Sequence, residues 1–487
     1  MGKRIINRAN VTKTIRYLRK NGIKHAFYAA KERLEEARKN DYCYIPPDRE
    51  TLEAQRKSSR HFPYRFSIVV PAYETKEDYL REMIDSVMGQ SYDNWELLIV
   101  DAGKSDCVRG VIEEYSCKIE QIHVEMPVRQ ELKYIKLPDN KGISENTNVG
   151  IEEASGDYIG LLDHDDLLSP DALYEMALHL ERAETERKAV KSSPVILYSD
   201  EDKYENNIRI VNDSIYEDSI FTDPNQKKEF NLDLILSNNY ICHFMIVKAE
   251  EMKKLLLRKE YDGAQDYDLV LRVVGSLLNN SVNVTDIDKY ILHVPKVLYH
   301  WRCHEDSTAQ NTDSKAYAYE AGRRALEDFG MARGWQIKVT HELHLGFYRM
   351  EYLPEIFAVR PEVGVVGGRI LDRHNKIVSG IYNEKGEKLY FGLHREYSGG
   401  STHIASLAQD CAAVDIRCLR LRKELQPLFK ELLGLPYREI GKEKIADVSA
   451  LSCDEAGYRK LSLALGEAIK SKGYLVLWDP KIAMKIK

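Results

Sequence analysis

Three aspartates fall within four positions, Asp163, Asp165 and Asp166, in the stretch YIGLLDHDDLLSP, directly behind an apolar run that reads as a buried strand. Like charges this close repel one another. Either they form a solvated turn and helix start, where the helix dipole favours Asp165 or Asp166, or something positive lies between them. A hard divalent cation fits the second reading, because Mg2+ and Mn2+ take oxygen ligands and keep substrate phosphates in their shell. Further along, GAQDYDL offers two more carboxylates, Asp266 and Asp268, a residue type suited to general-base work. HWRCH adds Arg302, whose planar fork matches a diphosphate, with His300 and His304 as metal ligands or as ordinary packed histidines.

The elements that must position these residues alternate in kind. Strand patterns occur at FSIVV, WELLIVD, KYIKL, YIGLLD and PVILYSD, separated by segments of helical periodicity starting near residues 76, 107, 142 and 169. The last of these opens with Ser169 as an N-cap and Pro170 at the first helical position. Single helices between strands imply right-handed crossovers and an α/β, Rossmann-like fold, with a mainly parallel sheet and helices on both faces. Ligands then bind beyond the carboxyl ends of the strands. Asp101, the Asp163 to Asp166 turn and Asp200 to Asp202 all close strand patterns and are expected on one rim. For YSDEDKY the reading is an acidic turn closing a strand, with an acceptor-pocket role as the alternative.

FSIVVPAYET, WELLIVDAGKSD, DNKGISENTNVGIEEASGDYIGLLDHDD, GAQDYDLVLR and VLYHWRCHEDSTA follow one another in a fixed order. Together they resemble the family 2 glycosyltransferases of GT-A fold, of bacterial surface-polysaccharide type, over residues 62–345. The resemblance implies a nucleotide-diphosphosugar donor, inverting transfer to a growing surface polysaccharide or lipid-linked glycan, and Mn2+ or Mg2+ as cofactor. It assigns Pro71, Tyr73, Asp101, Asp163, Asp165 and Arg302 to the nucleotide sugar, and Asp165, Asp166 and His304 to the metal. Asp266 becomes the general base, with Asp268 as the other choice, and Ser307 and Thr308 fall on the acceptor side. The chain departs from the family pattern at Ala102, where a second aspartate is common, and at Thr147, where arginine is common. A strand followed by DxDx also resembles the haloacid dehalogenase phosphatases, but Leu167 stands where those have Thr or Val. A noncatalytic glycan-binding scaffold is the remaining alternative.

The totals fit this frame. A chain of 487 residues exceeds a single ordinary core. The expected division is a basic helical extension at 1–61, the transferase domain at 62–345 and a smaller α/β domain at 346–487. Mean hydropathy is -0.45, no window approaches the roughly 18 apolar residues of a membrane helix, and no secretory signal is visible, so the cytoplasm is expected. Net charge is -6, which gives no general attraction to nucleic acid. Residues 1–60, however, carry sixteen Lys and Arg against seven Asp and Glu. With Ile15, Leu18 and Ile23 at near-helical spacing, this segment is either a helix on the inner face of an anionic membrane or one packed on its own domain. The eight cysteines form no CxxC pair and read as reduced thiols. Beyond residue 345, QDCAAVDIRCLRLRKEL parallels NNYICHFMIVKAEEMKKL, in which His243 could face an acceptor. VGVVGGRILD with GYLVLWDP echoes the rear half of a second family 2 unit, without its front half and with Arg459 and Lys460 where a base is expected.

Overall fold

The computed structural model describes residues 8–37, 42–125, 129–186, 193–211, 214–280, 282–303, 316–400 and 402–486. His304, Ser307 and Thr308 lie outside these residues. In chain order the elements are α1 (Arg8–Ala37), α2 (Arg49–Ser58), β1 (Phe66–Ala72), α3 (Glu77–Met88), β2 (Trp95–Asp101), α4 (Cys107–Glu125), β3 (Glu131–Lys136), α5 (Ile143–Glu153), β4 (Tyr158–Leu161), β5 (Leu167–Leu168) and α6 (Ala172–Glu186). There follow β6 (Ile196–Val211), β7 (Ser214–Asn225), α7 (Leu232–Ile235), β8 (Met245–Lys248), α8 (Ala249–Leu255), α9 (Gln265–Asn279), β9 (Ile291–Arg302) and α10 (Ala316–Ala332).

Two compact units result. The first spans residues 42–230 and 239–334; the second takes the segment before residue 42, residues 231–238 and the chain from 335 onward. These limits differ from the expected 61/62 and 345/346. Tyr42 donates its hydroxyl to Asp202 at 2.7 Å and Tyr44 shares a hydrogen bond with Ser169 at 2.7 Å, so residues 42–61 pack with the first unit. The strands Ile337–His341 and Tyr348–Tyr352 pair with each other inside the second.

In the first unit β3, β2, β1 and β4 lie side by side and run parallel, the α/β arrangement of a GT-A fold. β8 is antiparallel to both β4 and β6; β6 pairs in parallel with β9, and β5 closes antiparallel against β9. Side chains of a strand alternate between faces, and β1 buries both of its own. Phe66, Ile68 and Val70 join the core built from α3, α4 and α6. Val69 on the other face meets α5, which comes so near that a Cβ on Gly150 would lie 2.5 Å from Val69 Cγ1. Helices therefore cover both faces.

Two local expectations change. β6 does not stop at Asp200: it runs to Val211 because β7 and β9 both pair along it, so Asp200, Glu201 and Asp202 lie inside a strand. α6 begins at Ala172, and the Ser169 hydroxyl donates to Asp171 at 2.7 Å instead of capping the helix.

The second unit centres on the strand Val363–Leu371, which is parallel to Leu475–Lys485 and antiparallel to Leu419–Leu421. The helix Gln426–Leu433 follows the short strand and the helix Glu455–Ser471 precedes the last one. This repeats the first unit, where β6 is parallel to β9 and antiparallel to β8, with α8 after β8 and α9 before β9. The echo in the sequence is thus a repeat of topology. In register Gly367 takes the place of Tyr198 and Trp478 that of His293. The start of the helix equivalent to α9 carries Glu455, whereas Arg459 and Lys460, expected at that point, fall one turn later. Glu455 is ion-paired to Arg417 and Lys388.

Candidate functional site

The carboxyl ends of β1, β2 and β4 fall together because the three strands are in parallel register, with Ala72 opposite Asp101 and Val69 opposite Leu161. Pro71 is half-buried near the end of β1, and Tyr73, just beyond it, is 46% exposed. Asp101 is buried with both oxygens engaged. Oδ2 accepts from the Tyr134 hydroxyl and Lys136 Nζ, each at 2.8 Å, while Oδ1 accepts from the Gly103 amide at 2.8 Å. Ala102, in the place of a second aspartate, donates its amide to Ala72 at 2.9 Å. Thr147 is buried and donates its hydroxyl to the Ile143 carbonyl within α5.

The three aspartates after β4 have different surroundings. Asp163 keeps solvent exposure although protein groups crowd around it. Loss of surrounding water pushes its carboxyl up, His243 and His164 oppose that, and Asp165 and Asp266 reinforce it. Asp165 is partly exposed beside Asp163. Asp166 instead points into the protein: it is 1% exposed, Oδ1 accepts from the Arg302 amide at 2.7 Å, and Oδ2 accepts from the Tyr299 hydroxyl. Burial, with Asp163 and Asp165, pushes its carboxyl well above the usual range.

Arg302, expected at a diphosphate, is buried and committed to the protein. Its Nε donates to the Asp165 carbonyl at 2.5 Å, its Nη2 pairs with Glu82 at 2.7 Å, and its guanidinium stacks on Tyr79 and Tyr204. It braces the aspartate turn from behind. His300 is also a packed residue, with Nδ1 2.6 Å from Asp202 and its ring between Tyr44 and Phe221. The two carboxylates of α9 separate clearly. Asp268 is buried and ion-paired to both Arg258 and Arg272, whereas Asp266, in the first turn, is half-exposed and accepts one hydrogen bond to Oδ2 from Asn239 Nδ2 at 2.8 Å.

A set of acid-histidine pairs goes beyond the sequence-based expectations. Asp200 pairs with His293 at 2.8 Å, Glu201 with His243 at 3.3 Å and Asp202 with His300 at 2.6 Å. The signal for it lies in the period of two: Glu201 is opposite Tyr299 and Asp202 opposite His300, so neighbouring acids serve opposite faces. His243 stacks on Tyr299 and carries its charge towards Asp163. Burial disfavours that charge, but Cys242 and Glu201 overcome it and hold the imidazole well above its usual range. Among the described residues no group of three or more His, Cys, Asp or Glu side chains converges as a metal site. All eight cysteines are free thiols.

Residues 67–256 match the family model for glycosyl transferase family 2. The chain is similar to the uncharacterized protein y4gI of Sinorhizobium fredii, 37% identical over 54% of this chain and 25% of that protein. It is also similar to the O-antigen biosynthesis protein RfbC of Myxococcus xanthus, 28% identical over 59% of this chain and 19% of that protein. The chain thus spans a quarter or less of the length of these relatives. Among solved structures, S. aureus TarS 1–349 in complex with UDP-GlcNAc matches over 55% of this chain and 66% of that one, with 16% identity and a TM-score of 0.35, a slight likeness. The family match thus runs from β1 through α8.

Proposed function

We propose that the first unit transfers a sugar, with inversion, from a nucleotide-diphosphosugar to a growing surface polysaccharide or lipid-linked glycan. The observation that supports this reading is that Asp266, in the first turn of α9, is half-exposed and accepts a hydrogen bond from Asn239, while Asp163, after β4, is exposed. The neighbouring Asp268 is held by two arginines and has no such freedom. The relative RfbC, an O-antigen biosynthesis protein by name, supports the polysaccharide class.

Asp266 takes the proton from the acceptor hydroxyl, whose oxygen forms a bond to the anomeric carbon as the bond to the diphosphate breaks. Attack from the base's side, opposite the departing diphosphate, inverts the centre. A positioned base of this kind contributes about 10² to 10⁴ in rate. Asn239 orients it through Oδ2, which leaves Oδ1 for the proton. Tyr73 and Pro71 flank the nucleotide, and Asp101 fixes the neighbouring strand ends through Tyr134 and Lys136.

The aspartate turn suits a divalent cation. Asp165 adds to the cost of ionising Asp163, and two carboxylates with the remaining positions left to substrate is a usual set for Mg2+ or Mn2+. Asp165 and Asp163 would hold the ion, and Asp166 keeps their turn in place. When bound, it neutralises charge on the departing diphosphate. The test is Asp266→Asn with a panel of UDP- and dTDP-sugars and Mn2+. It should bind nucleotide with near wild-type affinity by calorimetry and lose at least a hundredfold in transfer and in slow donor hydrolysis; retained turnover rejects the base.

A further inference from the structure

α1 has two unlike faces. Gly22, at a φ of 82°, breaks it, and the segment after the break packs on the second unit. On one side Tyr28 stacks on His394 with ring centroids 4.6 Å apart. Glu32 accepts from the backbone amides of Ser398, Gly399 and Gly400 at 3.1, 2.8 and 3.0 Å, and Glu35 accepts from the Tyr397 hydroxyl at 3.2 Å. On the other side Ile23, Phe27, Ala30 and Leu34 follow at steps of four, three and four, which makes one continuous stripe. Ile23 is 80%, Phe27 62% and Leu34 45% exposed. Arg19, Lys20, Lys31 and Arg33 are exposed around this stripe, while Lys24, also exposed, pairs with Glu396 of the unit's own surface at 2.8 Å. The acids Glu32 and Glu35 bond to the unit's own surface, and the sequence has nine Lys and Arg but no acid before Glu32.

We propose that this outer face docks on an anionic lipid bilayer, with α1 lying in the plane of the interface. Phe27 and its stripe enter the boundary of the acyl chains while the lysines and arginines meet the headgroups. The charge selects the occupant: a second copy seated on the same stripe would bring two sets of cations together, whereas anionic headgroups neutralise one. The proposal adds a partner to the transferase reading without resting on it, since docking is measured with neither donor nor acceptor present.

The experiment is cosedimentation of the full chain with vesicles. Wild type should partition at least tenfold better onto phosphatidylcholine containing phosphatidylglycerol than onto phosphatidylcholine alone, and the advantage should shrink as salt is raised. Ile23→Asp with Phe27→Asp, and separately Lys20→Gln with Lys31→Gln, should each lower partition at least tenfold with melting temperature and solution mass unchanged. Equal binding to neutral vesicles, no binding to anionic ones, or variants that partition as wild type would overturn the proposal. So would a dimer that the Ile23 and Phe27 changes convert to monomer, since the stripe would then be an interface between copies.

Discussion

Asp166 offers a test in which the structure and the motif disagree. As a metal ligand it would lose function on conversion to asparagine and keep its fold. In the structure it acts as a brace, its carboxylate holding the Tyr299 hydroxyl and the Arg302 amide behind the turn. Asp166→Ala leaves both donors buried and unmatched, at about 1–3 kcal/mol each, so a loss of about 2–5 kcal/mol is expected. For a unit of this size that is a fall of about 5–15 °C in the melting transition. Asp166→Asn keeps the shape, accepts from the Arg302 amide through Oδ1 and donates to the Tyr299 oxygen, and should cost under about 1 kcal/mol. Circular dichroism melts with Mn2+ titration followed by nucleotide affinity separate the cases. An Asp166→Asn protein that melts like wild type but binds Mn2+ at least tenfold more weakly would refute the brace, as would an Asp166→Ala protein of unchanged stability.

Three more outcomes follow. Glu96 is buried, which raises its carboxyl, but Lys133, Ser67 and Ser155 outweigh that and hold it down from 4.5 to about 2. A lowered carboxyl stabilises above its unfolded value and loses that contribution as pH falls from about 4.5 to about 2. Glu96→Gln should therefore cost about 3 kcal/mol at neutral pH and flatten the acid-unfolding curve in that window, as read by urea titrations at several pH values. Asn239→Ala removes the donor to Asp266 Oδ2 and should lower kcat about tenfold with KM little changed; steady-state kinetics decide, and an unchanged kcat ends its positioning role. Gly150→Ala drives a methyl against Val69 and Val100 and should destabilise by about 1–3 kcal/mol in urea, with partial recovery on adding Val69→Ala.

The parallel half of the sheet was legible because β1, β2 and β4 are runs of buried apolar residues with helical segments between them. Asp163, Asp165 and Asp266 were legible from their types and order. What each aspartate touches was not, since that depends on strands far apart in sequence: Tyr299 and Arg302 reach Asp166 across 133 and 136 positions. Arg302 and His300 looked available because a one-dimensional reading cannot show the burial that β6 and β9 impose on each other. The long β6 and β7 hairpin escaped because KYENNIRIVNDSIYEDS is too polar to stand out as strand. The rear-half echo survived translation into space because strand order and direction tolerate changes that chemistry does not. His243, two places before β8, corresponds to Arg417, which pairs with Glu455 at the start of the helix equivalent to α9.

The lock between Asp166 and β9 also sets an order of events on the ribosome. Nascent chains lengthen at about 5–20 residues per second, so the aspartate turn exists for roughly 7–27 s before Tyr299 and Arg302 are made. During that interval Asp166 has neither bonding partner, and the turn cannot take its final form. A fragment ending at residue 256, where the family match ends, would hold every aspartate of the turn and remain permanently at that early stage.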